Sequence, residues 1–163
     1  MYCCSDPKPK SISAEVYSKL GNPIEDYTFV KMWAGPPKVG GTYDVEDFVT
    51  ALIRTEGPSI TLNGAWAQNI GPSEKYIDFL GTKGGIRLHY GKDFTFYSTE
   101  NGELVSENVA QSSQSPFQKE IDAFINCIED GKKIQNHIDT HMPTAQIMDA
   151  IYRSAEEHRE IIL

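Results

Sequence analysis

From Tyr43 to Asn69 the chain alternates apolar and polar positions on either side of a single break. The first run is Phe48 to Thr55 (FVTALIRT), the second is Ser59 to Gln68 (SITLNGAWAQ), and Gly57–Pro58 separates them. Period-two alternation around a Gly-Pro turn predicts an antiparallel strand pair. The same pattern recurs along the chain. Ser11 to Leu20 alternates Ile12, Ala14 and Val16 with polar neighbours, and Tyr76 to Leu80 connects to Ile86 to Tyr90 through GTKGG. Phe94 to Thr99 follows Gly91, and Glu103 to Val109 follows Asn101–Gly102, a dipeptide that strongly favours a tight hairpin. Each strand closely follows the one before, so the simplest topology is an antiparallel meander.

The period lengthens after residue 115. Ser115 stands at a capping position, Pro116 at the first helical position, and Gln118 completes a capping-box pattern. Phe117, Ile121, Phe124, Ile125 and Ile128 then fall on one helix face, and Gly131 supplies a left-handed end. A second helix is expected from near Pro143 to about Glu157, with Ile147, Met148, Ile151, Tyr152 and Ala155 as its apolar face. Ile161–Leu163 reads either as a short strand or as a segment docked on the helices. Single apolar stripes on both helices predict an α+β fold, an antiparallel open sheet of about six or seven strands with two helices packed on one face. One domain is expected over residues 1–163.

The opposite sheet face carries Ile86, Tyr90, Phe94, Phe96 and Tyr97. A large uncovered apolar face marks a partner surface, so a homo-oligomer, at least a dimer, is expected. The alternative cover is the loop from Asn22 to Gly41, which holds Phe29 and Trp33 and is longer than an ordinary connection.

Fifteen basic against 23 acidic side chains give a net charge of −8. That balance disfavours nucleic acid and anionic membranes, both of which need clustered Lys and Arg. No apolar run approaches the ~20 residues of a spanning helix, and no basic-then-apolar leader opens the chain. Cys3, Cys4 and Cys127 make an odd count, and adjacent Cys3 and Cys4 are poor partners for each other. A cytoplasmic protein without a disulfide framework is expected.

Candidate chemistry is sparse. No G-x-G-x-x-G lies between a strand and a helix, and Gly81, Gly84 and Gly85 read as turn glycines, so this chain is not expected to bind NAD by itself. His137 and His141, with Asp139 between them, have a spacing that shares a helix face. No third ligand is fixed there, and no metal is expected. Asp44, Glu46 and Asp47 cluster before a strand. They read either as a solvated loop end or as carboxylates that accept hydrogen bonds from sugar hydroxyls. Trp66 fits the core or stacks on a sugar ring, Asn69 offers an amide, and Trp33 is a comparable stacking candidate. The candidate substrate-binding residues are therefore Trp33, Asp44, Asp47, Trp66 and Asn69.

Six segments occur in a telling order: PKPKSISA, YDVEDF, WAQN, GTKGG, PFQKEIDAF and AIYRSAEEHREIIL. Together they resemble the C-terminal domain of the glucose–fructose oxidoreductase / inositol dehydrogenase / rhizopine-catabolism (Gfo/Idh/MocA) oxidoreductases over nearly the whole chain. The resemblance implies a substrate-binding and oligomerisation domain of an NAD- or NADP-dependent enzyme acting on a sugar, cyclitol or related polyol. It implies, too, that this sheet packs against its counterpart in another subunit. The family's nucleotide-binding domain, its E-K-P lysine motif and its D-x-x-x-H motif have no counterpart here. On this resemblance the chain begins after all three, the cofactor belongs to the full-length enzyme, and hydride transfer by this chain alone is not expected. His158 stands where many relatives carry Gly. The other reading is a stand-alone carbohydrate-binding or dimerisation module without redox chemistry.

Overall fold

The computed structural model describes residues 1–20, 40–42, 44–69, 74–91, 93–110, 114–134 and 137–163, leaving aside the Tyr2 side chain. The Asn22–Gly41 loop, with Phe29 and Trp33, lies almost wholly outside the described residues. In chain order the strands are β1 (Pro9–Tyr17), β2 (Phe48–Thr55), β3 (Ile60–Ala65), β4 (Tyr76–Leu80), β5 (Gly85–His89), β6 (Phe94–Glu100), β7 (Glu103–Val109) and β8 (Ile161–Ile162). The helices are α1 (Pro116–Glu129) and α2 (Ile138–Glu157). The fold is α+β and every strand pair is antiparallel. The strands make two four-stranded sheets, β3-β2-β1-β8 and β4-β5-β6-β7, in place of a single open sheet of six or seven. The chain accordingly divides into two compact units, Met1–Asn69 with Lys133–Leu163, and Ile70–Lys132.

In the first unit the register aligns Ile12 with Ile53, Ala14 with Ala51 and Val16 with Val49, so one face of β1 and β2 is apolar. α2 lays Ile147, Ala150 and Ile151 on that face, and Ile161 of β8 closes the cluster. Ala14, Ala51 and Ala150 are small, which lets helix and sheet approach closely without voids. Ile12 and Ile161 are fully buried, each contributing about 1.5–3 kcal/mol by transfer from water. The other face carries Ser13, Glu15, Thr50, Thr61 and Asn63, with Leu52, Phe48 and Tyr17 among them, and is the more polar of the two.

Ser154 joins the two layers. It is buried on α2, donates from Oγ to the Arg159 carbonyl at 2.7 Å, and accepts from the Ala14 N–H at 2.9 Å. β8 spans only two residues, so beyond it Ser154 supplies the partner that β1 lacks. α2 starts five residues before Pro143. Pro143 has no N–H to donate to the Asp139 carbonyl; separately, His137 caps the helix start by accepting the Asp139 N–H at Nδ1. α2 ends at His158 in the left-handed region, φ 51°, a conformation that a side chain adopts only at some cost.

In the second unit β4 to β7 form the expected meander. Asn101 and Gly102 both have positive φ, as a two-residue hairpin requires. Gly81 and Gly84 are required by the GTKGG turn. A Cβ on Gly81 would meet the Gly84 carbonyl at 2.8 Å, and one on Gly84 would meet the Tyr97 carbonyl at 2.8 Å. Strand register puts Ile77, Phe79, Ile86, Leu88, Phe94 and Phe96 on one face. Tyr97 belongs to the opposite face and Tyr90 to the turn after β5, so the two tyrosines do not share the apolar side with Ile86, Phe94 and Phe96. No described residue of this sheet is buried. The other face is polar. Arg87 binds Asp78 through Nε and Nη2 at 2.7 and 2.6 Å and lies 4.9 Å from the Tyr76 ring centre.

α1 ends in a paired turn, with Lys132 N–H on the Cys127 carbonyl and Gly131 N–H on the Ile128 carbonyl. Its start differs from the capping-box expectation. Ser115 makes no side-chain cap bond, and Gln118 instead reaches Asp122 at 2.7 Å. No residue of α1 is buried, so α2 is the helix whose apolar face is packed.

Two measurements check this fold. Ser154→Ala leaves two backbone groups short of a partner and is expected to cost about 1–3 kcal/mol in chemical denaturation. The Arg87 hydrogen bonds hold the Asp78 carboxyl below its ordinary value. Because the folded value is depressed, any stabilisation is present above the unfolded pKa and is lost as pH falls through the folded one. In a carboxyl NMR titration Asp78 should protonate at lower pH than a free Asp, and Arg87→Ala should abolish the difference.

Candidate functional site

The end of the first sheet is shaped by one carboxylate. β1 stops at Tyr17, and the expected continuation to Leu20 is taken over by Asp47. Its Oδ2 accepts the N–H groups of Lys19 and Leu20, each at 2.6 Å. Its own N–H donates to the Tyr17 carbonyl at 2.8 Å, and its carbonyl accepts the Trp66 N–H at 3.1 Å. That last bond carries the β2–β3 register one pair beyond Ala65, where β3 ends, short of the expected Gln68. Ser18 adds a bond from Oγ to the Val45 carbonyl at 2.8 Å. Asp47 is only 3% exposed. A buried carboxylate is stable only when hydrogen-bonded, and backbone amides fulfil that need here.

Around Asp47 lies a second, exposed layer. The Trp66 indole is 38% exposed and donates from Nε1 to the Glu46 carbonyl at 3.2 Å. Tyr152, from α2 and 47% exposed, donates its hydroxyl to Glu46 Oε1 at 2.6 Å. This bond raises the phenol above its ordinary pKa, with desolvation adding to the effect. Tyr152 therefore stays protonated through the neutral range and acts as a donor rather than a base. Asp44 and Asn69 are exposed; Trp33 lies outside the described residues. Of the sequence-derived candidates, the structure joins Asp47 to Trp66 and adds Glu46 and Tyr152. Tyr152 was assigned to the apolar stripe of its helix. It stands beside buried Ile151 at the rim of that stripe, and helical spacing alone does not separate rim from core.

This arrangement supplies a carboxylate, a phenol and an exposed indole. Acid and aromatic side chains in combination suit neutral ligands rich in hydroxyl groups, because the acid accepts from hydroxyls and the ring covers the C–H faces. A separate trough of about 550 Å³ lies along the polar face of the same sheet, lined by Ser13, Glu15, Thr50, Asn63 and His158 among others. None of the sequence-derived candidates lines it, and it has no Trp, Tyr or Phe. Among the described residues no three His, Cys, Asp or Glu side chains group to hold a metal ion.

No protein-family model matches the chain, and no curated protein matches it in sequence. Solved structures do match. The aldose-aldose oxidoreductase from Caulobacter crescentus, complexed with glycerol, superposes with a TM-score of 0.70 at 17% identity, over 96% of this chain and 42% of its own. A putative NADPH-dependent oxidoreductase from Desulfitobacterium hafniense gives 0.70 at 15%, over 95% and 42%. A putative myo-inositol dehydrogenase from Sinorhizobium meliloti gives 0.59 at 19%, over 96% and 44%. The chain thus spans less than half the length of each of these proteins. Nearly all of it has the fold of one part of the Gfo/Idh/MocA-type oxidoreductases, the fold that the six sequence segments implied.

Proposed function

We propose that the chain is the substrate-binding and oligomerisation domain of an NAD- or NADP-dependent oxidoreductase acting on a sugar, cyclitol or related polyol. One observation carries this reading. The fold likeness covers 95–96% of this chain but only 42–44% of the oxidoreductases, which leaves most of their length to hold the cofactor. The Caulobacter protein was solved with glycerol and the Sinorhizobium protein is described as a putative myo-inositol dehydrogenase; glycerol and inositol are polyols, the class that the Glu46–Trp66–Tyr152 layer suits. Asp47 contributes by positioning the Lys19–Leu20 backbone with its carboxylate, and Asp44 and Asn69 flank the same strand ends. Three unpaired cysteines fit a reducing cytoplasm, and no helix among the described residues is long and apolar enough to cross a membrane.

Oligomerisation rests on the second unit. Its sheet turns Ile77, Phe79, Ile86, Leu88, Phe94 and Phe96 to one side and buries none of them. A second copy, packed through a two-fold axis, covers that face. Such an interface buries well over ~1,000 Å² in total.

Three experiments test the reading. The full-length protein, given NAD or NADP and a panel of aldoses, inositols and alditols, is expected to generate reduced cofactor; no turnover with any of them refutes it. In light scattering the chain should have twice the mass of 18.2 kDa, and Phe96→Arg should halve it. A wild-type mass of one chain defeats the dimer. Asp47→Ala should lower stability by about 1.5–3 kcal/mol, since it removes bonds to a charged acceptor. Unchanged thermal unfolding of that variant would remove Asp47 from its positioning role.

A further inference from the structure

We propose that α1 of one chain lays its apolar stripe on the β4–β5 hairpin of a second copy, and that the two copies exchange this contact through a two-fold axis. The inference rests on the dimer reading above and adds the element that covers the sheet.

α1 is amphipathic with its apolar side turned out. Phe117, Ile121, Phe124, Ile125 and Ile128 form one stripe and are 46–76% exposed. The two residues of the helix that are partly shielded, Asp122 and Cys127, lie off that stripe. The sheet of the same unit has the converse surface. Ile77, Phe79, Ile86, Leu88, Phe94 and Phe96 stand on one face and none is buried. Exposed apolar surface of this extent marks an interaction site. One chain therefore carries both halves of a helix-on-sheet layer, unjoined. Two copies related by a two-fold axis join both halves at once, because an isologous contact is made twice.

The halves match in length and area. Phe117 to Ile128 spans about 17 Å of helix, and the five residues of β4 or of β5 also span about 17 Å. Each contact gathers Phe117 and Phe124 of the stripe with Phe79 and, beside the hairpin, Phe94 and Phe96 of the face. A Phe ring buries ~150–250 Å² when enclosed. With these rings only half enclosed, the contact made twice removes on the order of 1,000 Å² from water, the size that a specific interface needs. The isoleucines add to it.

Charge places the helix on the sheet. Glu120 and Glu129 border the stripe on its two sides and are exposed. Lys75 precedes β4 and Lys83 lies in the turn between β4 and β5, and both are exposed. Glu107 of β7 is paired with Phe96 and so stands on the apolar face toward the opposite edge. A helix bordered by acids is drawn to the hairpin with the two lysines and repelled from the edge with Glu107. β4–β5 is accordingly the half of the sheet that α1 covers.

Cysteine linking tests the exchange. In a background of Cys3→Ser, Cys4→Ser and Cys127→Ser, one chain carries Ile121→Cys and another Ile86→Cys. Mixed under mild oxidation, they are expected to give disulfide-linked pairs of unlike chains in large excess over pairs of like chains, read by mass spectrometry. A chain carrying both cysteines should link between chains rather than within one. Ile121→Arg and Phe124→Arg, at exposed positions, should each halve the mass seen by light scattering and leave the helical circular dichroism signal in place. A wild-type dimer that persists in both arginine variants and gives no unlike pair keeps the dimer reading and overturns the role of α1. A link within the doubly substituted chain, with none in the mixture, means that α1 folds onto its own sheet, and overturns the exchange. A monomeric wild type overturns the dimer reading and this inference together.

Discussion

The first unit depends on how the second edge of β1 finds hydrogen-bond partners. One edge of β1 is paired along its whole length by β2. The other edge is covered piecemeal. Leu163 donates to Lys10, β8 pairs with Ser11 and Ile12, and Ser154 takes the Ala14 N–H. A buried amide without a partner costs about 1–3 kcal/mol, so the Ser154 bond to buried Ala14 is needed. These pieces come from the end of the chain, which is why the C-terminal helix and the final strand converge on β1; past the strand, on the β2 side, Asp47 takes Lys19 and Leu20. Ser11 and Arg54 add a further tie, both donating to Glu160 Oε1 beside β8, at 2.5 and 2.6 Å.

That requirement divides the acidic cluster before β2. Asp47 lies under the loop and meets amides, whereas Glu46, one residue earlier, points to the exposed side and meets a phenol. A sequence shows three acids in four residues but does not show which of them is turned inward. Asp47 was therefore legible as important and not legible as buried. Tyr152 was hidden for the complementary reason, since its spacing places it with Ile147 and Ile151 and only the packed helix shows that it sits at the rim.

Other features were legible because they are local. The Asn101–Gly102 hairpin, the left-handed Gly131 and the turn glycines of GTKGG each follow from what a backbone of three to five residues can adopt. The alternation of Ile12, Ala14 and Val16 named the buried face of β1 correctly, because only one register buries all three. Failures came where a tertiary choice overrode a local one. Ser115 has the sequence of a capping box, yet Gln118 finds Asp122 one turn on, a competing i,i+4 pair of similar strength. Pro143 looks like a helix start, but His137 caps the backbone earlier and the helix runs through the proline. The division into two sheets was likewise invisible, since alternation identifies strands and not their neighbours.

The two units differ in how they satisfy the hydrophobic effect. The first packs eight buried apolar residues between one sheet face and one helix. The second has the materials for a core, an apolar face on β4, β5 and the start of β6, edged on β7 by Val105, Glu107 and Val109, and an apolar stripe on α1, yet none of its strand or helix residues is buried. Apolar area left in water forfeits about 25 cal/mol for each Å², and a four-stranded sheet without a packed face is marginal in isolation. The side chains on that face are those that a partner surface employs: large, apolar and aromatic, with the charged Arg87 and Asp78 turned to the other side. The second unit thus leaves unburied, in its strands and in α1, the apolar side chains that its register collects, whereas the first unit buries its own between β1, β2, β8 and α2.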